Sequence, residues 1–61
     1  MTNRELEILK LLALRLSNKE IATQEFIAVT TVKKHLTNIF GKLTVANRRQ
    51  AVEKARALNI I

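Results

Sequence analysis

Apolar residues recur at intervals of three and four along the whole chain, and neither proline nor an alternating strand pattern interrupts them. This period places apolar side chains on one face of an α-helix, so it favours an all-α fold. With 61 residues, 48% of them hydrophobic, the chain suffices for one small domain with a small core. The sequence therefore predicts a single domain over residues 1–61, built from short helices that are stable only when packed together.

Four segments show the helical period, and residues that commonly cap helices lie near the start of each. The predicted helices cover residues 3–15, 18–25, 30–43 and 48–58. The expected caps are Thr2, Ser17, Thr30 and Asn47. Thr2 and Ser17 are each followed three residues later by a glutamate, which is the capping-box arrangement.

The expected core consists of the apolar residues on the inward stripe of each helix. They are Leu6, Ile8, Leu9, Leu12, Ala13 and Leu16, then Ile21 and Ala22, then Val32, Leu36, Ile39, Phe40 and Leu43, and finally Ala51, Val52, Ala55 and Leu58. Gly41 lies inside the third helix at a cost of about 1 kcal/mol relative to alanine.

The composition argues against an enzyme and against a bound metal or cofactor. The chain has no cysteine and no aspartate, and its one histidine is His35. Carboxylate pairs, Ser-His-Asp relays and metal sites therefore have few residues to be made from. No apolar run of about 18 residues and no signal-peptide layout is present, so we expect a cytoplasmic protein that does not span a membrane.

The basic residues are concentrated in the second part of the chain. Lys and Arg number 11 against five Glu, a formal net charge of +6. Residues 1–25 are neutral overall, whereas residues 26–61 carry seven cations against Glu53 alone. Such a field indicates a polyanionic partner, either nucleic acid or an anionic membrane surface, although a solvated basic surface gives the same pattern.

The second and third predicted helices have the lengths and spacing of a helix-turn-helix. A short helix, a tight connection over residues 26–29 and a longer helix with a polar face are its parts. Lys33, Lys34 and Thr37 lie in the N-terminal half of the longer helix, where base contacts are usually made. Similar stripes occur in any helical bundle, so spacing alone does not establish the motif.

Five motifs, in register and spanning almost the whole chain, resemble the LuxR-type (GerE-like) DNA-binding domain of bacterial transcriptional regulators. Residues 2–9, TNRELEIL, resemble its T-x-R-E-x-E-V-L opening, and residues 17–22 match S-N-K-E-I-A in full. Residues 31–36, TVKKHL, fit the recognition-helix motif T-V-K-x-H-L. Residues 39–43, IFGKL, and 47–52, NRRQAV, fit I-x-x-K-L and N-R-x-x-A-V.

The resemblance implies a four-helix, tetrahelical helix-turn-helix domain that binds double-stranded DNA and usually closes a longer regulator. The positions that would face base edges are Lys33, Lys34 and Thr37. The positions that would contact or support contacts to the DNA backbone are Ser17, Asn18, Thr31, His35, Asn38, Lys42 and Arg48. The last helix, about 48–58, would form a homodimer contact on an inverted repeat, with Glu53, Lys54 and Arg56 as candidates, and a contact with RNA polymerase is possible.

The chain departs from the family pattern at several loop positions. Members often have glycine at the positions of Arg15, Thr44 and Asn59, where it ends helices with positive φ. Glu25 replaces a usual buried leucine, which predicts a more open face there. Ala28 replaces a frequent capping serine, which predicts that Thr30 takes over the cap.

Two other functions stay open at this point. The basic amphipathic segment 32–43 is typical of a helix that lies on an anionic membrane surface, although tryptophan is absent and three further apolar stripes need burial. Alternatively, helix 48–58 could make the domain a protein-interaction module that recruits polymerase or another partner.

Overall fold

Four α-helices and no strands make up the fold. The computed structural model describes all 61 residues, with α1 at Asn3–Ala13, α2 at Asn18–Glu25, α3 at Val29–Leu43 and α4 at Arg48–Ala57. Helix α3 packs against each of the other three helices. The predicted all-α, four-helix class is confirmed, and each predicted helix matches an observed one to within two residues at either end.

Side-chain caps begin three of the helices as the sequence predicts. The side chains of Thr2 and Ser17 each accept a hydrogen bond from the backbone N–H of the glutamate three residues later. The carboxylate of that glutamate in turn accepts from the cap residue's own N–H. The Asn47 side chain accepts from the Gln50 N–H at the start of α4. Each cap satisfies N–H groups that have no partner within the helix.

The predicted cap at Thr30 is wrong. The cap of α3 is Ala28, whose side chain makes no hydrogen bond, and Thr30 already lies inside the helix. The helix begins this early because the Ile27 N–H bonds to the Ala22 carbonyl, closing the turn directly after α2. Ile27 and Val29 both pack against the core, so the helix begins directly after Ala28.

Eleven apolar residues form the buried core, and all of them belong to the predicted set. They are Ile8, Leu9, Leu12, Ile21, Ala22, Val32, Leu36, Ile39, Leu43, Ala51 and Ala55. Leu16, Phe40 and Val52 are half-buried and pack against this cluster. Leu6 and Ala13 are half-buried as well.

Leu58 is the one predicted core residue that is exposed, at 56% of its surface. Helix α4 ends at Ala57, and Asn59 adopts a positive φ that turns the chain back. The Ile60 N–H then bonds to the Ala55 carbonyl at 2.8 Å, and Ile60 and Ile61 pack against the core. Ile60 and Ile61 therefore cover the part of the core that the helical period predicts for Leu58.

A half-buried ion pair joins α1 to the end of α3. The Glu5 side chain is 5% exposed, and its Oε1 accepts from the Lys42 Nζ at 2.7 Å and from the Thr2 backbone N–H at 2.9 Å. The Lys42 and Thr2 hydrogen bonds outweigh the effect of burial and lower the pKa of Glu5 to about 2. Glu5 therefore belongs to the inward stripe of α1, a place that the hydrophobic pattern does not assign to it.

A second pair of residues joins α1 to α2. The Arg4 Nη1 lies 3.2 Å from the Glu25 Oε1, and the Glu25 side chain is only 13% exposed. The more open face predicted around Glu25 is therefore absent, because Arg4 pairs with the Glu25 carboxylate and helps to cover it. A hydrogen bond with the Glu7 carboxyl, together with burial, raises the pKa of Glu25 against the opposing effect of Arg4.

Each helix is followed by a residue with positive φ, and none of these residues is glycine. They are Arg15, Phe26, Thr44 and Asn59, with φ between 56° and 65°. The next residue in each case is apolar, packs against the core and donates its N–H to the carbonyl five residues back; these residues are Leu16, Ile27, Val45 and Ile60. This is the Schellman ending, which commonly uses glycine. Arg15, Thr44 and Asn59 stand where LuxR-type domains often have glycine. Phe26 is a fourth residue with positive φ, which that pattern does not predict.

We expect Thr44→Gly to raise the free energy of unfolding by about 0.5–1 kcal/mol, because a β-branched residue is strained at this φ and glycine is not. Urea denaturation followed by circular dichroism measures the change. Thr23→Gly is the matched control, since Thr23 is exposed inside α2, and it is expected to lower stability by about 0.3–0.5 kcal/mol. Equal effects of the two changes would show that the backbone at Thr44 is not strained.

We expect Glu5→Gln to lower the free energy of unfolding by about 1–3 kcal/mol at pH 7, because it removes the negative charge that strengthens the hydrogen bonds from Lys42 and from the Thr2 N–H. Since folding depresses the pKa of Glu5, its stabilisation is complete above about pH 4.3 and is lost as the pH falls toward 2. Denaturation between pH 2 and pH 7 should therefore show the two proteins converging in acid. The exposed Glu53→Gln should change stability by at most about 0.5 kcal/mol, and a similar loss in both variants would contradict the role of Glu5.

Candidate nucleic-acid interface

Helix α3 divides cleanly into a buried face and an exposed face. Its apolar residues Val32, Leu36, Ile39 and Leu43 lie in the core, because the other three helices pack against them. The three residues expected to face bases, Lys33, Lys34 and Thr37, are all exposed. They lie together on the side of the helix away from the core, as the helical period requires for positions 33, 34 and 37.

The side chain of Thr37 has a defined hydrogen-bonding role in α3. Its hydroxyl donates to the Lys33 carbonyl at 3.0 Å, so the hydroxyl oxygen is left as an acceptor while its methyl group stays available for apolar contact. Gly41 lies one turn further along the same face, and a Cβ added there would meet no atom within 4 Å. The packing of the protein therefore does not require a glycine at this position.

The other expected contact residues on α3 differ in exposure. Asn38 is exposed, while Thr31 and His35 are half-buried at the edge of the helix. The Lys42 side chain is 49% exposed, but its Nζ is held by Glu5 at the far end of α3. The Lys42 charge is therefore partly neutralised within the protein.

Three further expected residues come together where α2 begins. Ser17 caps the helix, and Asn18 is its first residue. Arg48, the first residue of α4, donates from Nη2 to the Leu16 carbonyl at 2.6 Å and from Nη1 to the Asn18 Oδ1 at 3.2 Å. Arg48 therefore links the start of α4 to the start of α2, and this cluster is separate in sequence from the exposed face of α3.

No group of three or more His, Cys, Asp or Glu side chains is arranged to hold a metal ion. None of the four helices is long and apolar enough to cross a bilayer.

Sequence reasoning did not find the Glu5–Lys42 pair or the bonds made by Arg48. These contacts join residues 30 or more positions apart, and a hydrophobic pattern carries no signal for such pairs. The exposure of Phe26, 94% of its surface, was also missed. The only local signal was its place in the connection between two predicted helices.

Comparison with known proteins settles the family. Residues 1–55 match the family described as bacterial regulatory proteins, luxR family. The chain belongs to this family. It is 48% identical over all 61 residues to the transcriptional regulatory protein LiaR of Bacillus subtilis, and 49% identical to the response regulator protein VraR of Staphylococcus aureus. The chain spans 29% of the length of each of these relatives.

Two solved structures agree closely with the fold. The response regulator ChrA of a heme-sensing two-component system superposes with a TM-score of 0.97 at 45% identity, over 98% of this chain and 30% of that one. The transcription factor GerE superposes with a TM-score of 0.91 at 38% identity, over 98% of this chain and 90% of that one. The luxR family consists of DNA-binding regulators of transcription and not of enzymes, so the predicted family, fold and non-enzymatic class are confirmed.

Proposed function

We propose that this luxR-family domain binds double-stranded DNA sequence-specifically by placing α3 in the major groove. The observation that carries the proposal is the exposed basic and polar face of α3, opposite its buried stripe. In this proposal Lys33 and Lys34 donate to acceptors on base edges, such as guanine O6 and N7. The Thr37 oxygen accepts from a base amino group, or its methyl group contacts a thymine methyl.

The dimensions of α3 suit this placement. A major groove about 12 Å wide admits one α-helix, and the 15 residues of α3 extend about 22 Å. Gly41 lies on the exposed face with open space around it, so the helix backbone there can approach a ligand closely. This gives a reason for a residue that otherwise weakens the helix.

The remaining expected residues are proposed as contacts to the DNA backbone or as supports for them. They are Ser17, Asn18, Thr31, His35, Asn38, Lys42 and Arg48. Their position is the reason for this proposal. A helix-turn-helix lays its first helix, here α2, across the DNA backbone, and Arg48 bonds to residues at the start of α2. Such contacts supply affinity and register, whereas the α3 face supplies specificity.

We further propose that two copies bind an inverted repeat with half-sites about one helical turn apart, because a single small module offers few contacts. The segment 48–58 is the proposed dimer contact, and Glu53, Lys54 and Arg56 are exposed on it. The same segment is proposed for any contact with RNA polymerase. In this scheme residues 1–61 are the DNA-binding domain of a longer regulator, a scheme suggested by the larger size of the relatives.

The membrane-surface alternative finds no support in the fold. The apolar face of α3, which would have to enter the lipid, lies in the core of the domain. Binding to the membrane through this face would require the bundle to open.

Lys34→Ala is expected to reduce the preference for the operator over scrambled DNA by about 1–3 kcal/mol, because Lys34 contacts a base in this proposal. The operator is first selected from a random duplex library, and fluorescence anisotropy then measures both affinities. Lys10→Ala is the matched control, because it removes the same charge from the exposed side of α1. An equal loss on both duplexes would place Lys34 at a phosphate instead.

Titration of a labelled duplex across a range of salt concentrations tests DNA binding itself. If each domain neutralises three to five phosphates, the slope of log K against log salt should be roughly −3 to −5 per domain. A parallel titration with sonicated anionic vesicles is expected to give weaker binding. Vesicle binding without duplex binding at low salt would reject the proposed function.

A further inference from the structure

A second basic surface lies away from the exposed face of α3. The end of α1, the connection to α2 and one flank of α4 enclose an open cleft of about 760 Å³. Four arginines line it, namely Arg15, Arg48, Arg49 and Arg56. The proposed DNA contacts use only Arg48 of these four.

The four arginines are not equally available to a partner. Arg48 donates to the Leu16 carbonyl and to Asn18, and Arg49 Nε lies 3.4 Å from the Glu53 Oε1. Arg15 and Arg56 make no salt bridge within the chain, and neither side chain has a hydrogen-bond partner. The cleft thus offers two free guanidinium groups.

The acidic residues of the cleft are already engaged. The Glu20 carboxylate accepts from the Ser17 N–H at 2.8 Å in the capping box, which lowers its pKa, and Glu53 pairs with Arg49. Neither carboxylate is placed to neutralise Arg15 or Arg56 in this structure. With four arginines against these two carboxylates, the net charge of the cleft lining is positive.

The position of Arg15 is unusual for an arginine. Its φ of 65° is one that glycine adopts without strain, and the Schellman ending of α1 would form equally well with glycine there. A strained residue that the fold does not need is a reason to look for a role in binding. Its charge is the property that glycine would not supply.

Four of the residues that line the cleft are apolar. Leu12 is buried, and Ala13, Leu16 and Val52 are half-buried side chains that line it. A sugar-phosphate backbone would meet the arginines but has little apolar surface to match these residues.

From this combination we infer that the cleft between α1 and α4 binds an acidic, amphipathic segment of a partner protein. Carboxylates of the partner pair with Arg15 and Arg56, and its apolar side chains cover Leu16 and Val52. Planar guanidinium groups suit such pairs because they can hold a carboxylate through two hydrogen bonds. This interaction uses residues other than the α3 face, so it does not depend on DNA binding.

The test uses the 61-residue chain and a fluorescent synthetic peptide with leucines on one helical face and glutamates on the other. The first variant is Arg15→Gly with Arg56→Gln, which removes both free cations from the cleft. Because glycine suits the backbone at position 15, this variant is expected to remain folded, and a thermal melt checks it. The matched variant, Lys33→Gln with Lys34→Gln, removes two cations from α3. A peptide of the same composition in scrambled order controls for charge alone.

The inference predicts that the cleft variant weakens peptide binding about fivefold or more while the α3 variant leaves it unchanged. The reverse is expected for a labelled duplex that carries a single half-site, because one copy binds it without the proposed dimer contact of α4. Failure of this proposal and failure of DNA binding are therefore distinguishable. Equal weakening in both variants, or equal binding of the scrambled peptide, would show non-specific charge attraction and overturn the inference. A cleft variant that loses only duplex affinity, with a salt slope smaller by about 2, would assign the arginines to the DNA footprint instead.

Discussion

The domain depends on how its helices end. A chain of 61 residues has a small core, so each helix must stop within a residue or two and return the chain to that core. Four residues with positive φ do this, and the apolar residue after each one packs inward. The same local geometry thus closes all four helices and adds four apolar side chains to the cluster. Its cost is backbone strain at non-glycine residues, which is most evident at the β-branched Thr44.

The short connections determine how α3 is presented. Because α2 ends at Glu25 and α3 begins only four residues later, at Val29, the two helices pack directly on each other. Helices α1 and α4 also pack against α3, and Glu5 holds its last turn through Lys42. With three neighbours on its apolar side, α3 leaves only its polar side to solvent. The exposed basic face is therefore a consequence of packing and not of the sequence of α3 alone.

Much of this arrangement could be predicted from the sequence. The helical period located the four helices, and the capping boxes at Thr2 and Ser17 marked the starts of two of them. The exposure of Lys33, Lys34 and Thr37 follows from the same period. The resemblance to LuxR-type domains added the family, which the comparisons confirmed. It also added the residue roles, which are proposals for this chain.

The failures share one physical cause, which is that tertiary contacts override local signals. Thr30 has a better capping side chain than Ala28, yet the packing of Ile27 and Val29 starts the helix earlier. Leu58 fits the apolar stripe of α4, yet the turn at Asn59 places two isoleucines in the core instead. Glu5 is buried because Lys42, 37 positions away, supplies its counter-charge. None of these outcomes can be deduced from residues near in sequence.

In the proposed complex, DNA meets the exposed face of α3. A 1H–15N NMR titration of the chain with a short duplex tests it most directly, because each backbone amide reports separately. We expect the largest shift changes on residues 30–42 and around Ser17 and Asn18, with little change near Lys10 on α1. Changes concentrated on α1 or on the cleft flank of α4, with α3 unaffected, would contradict it.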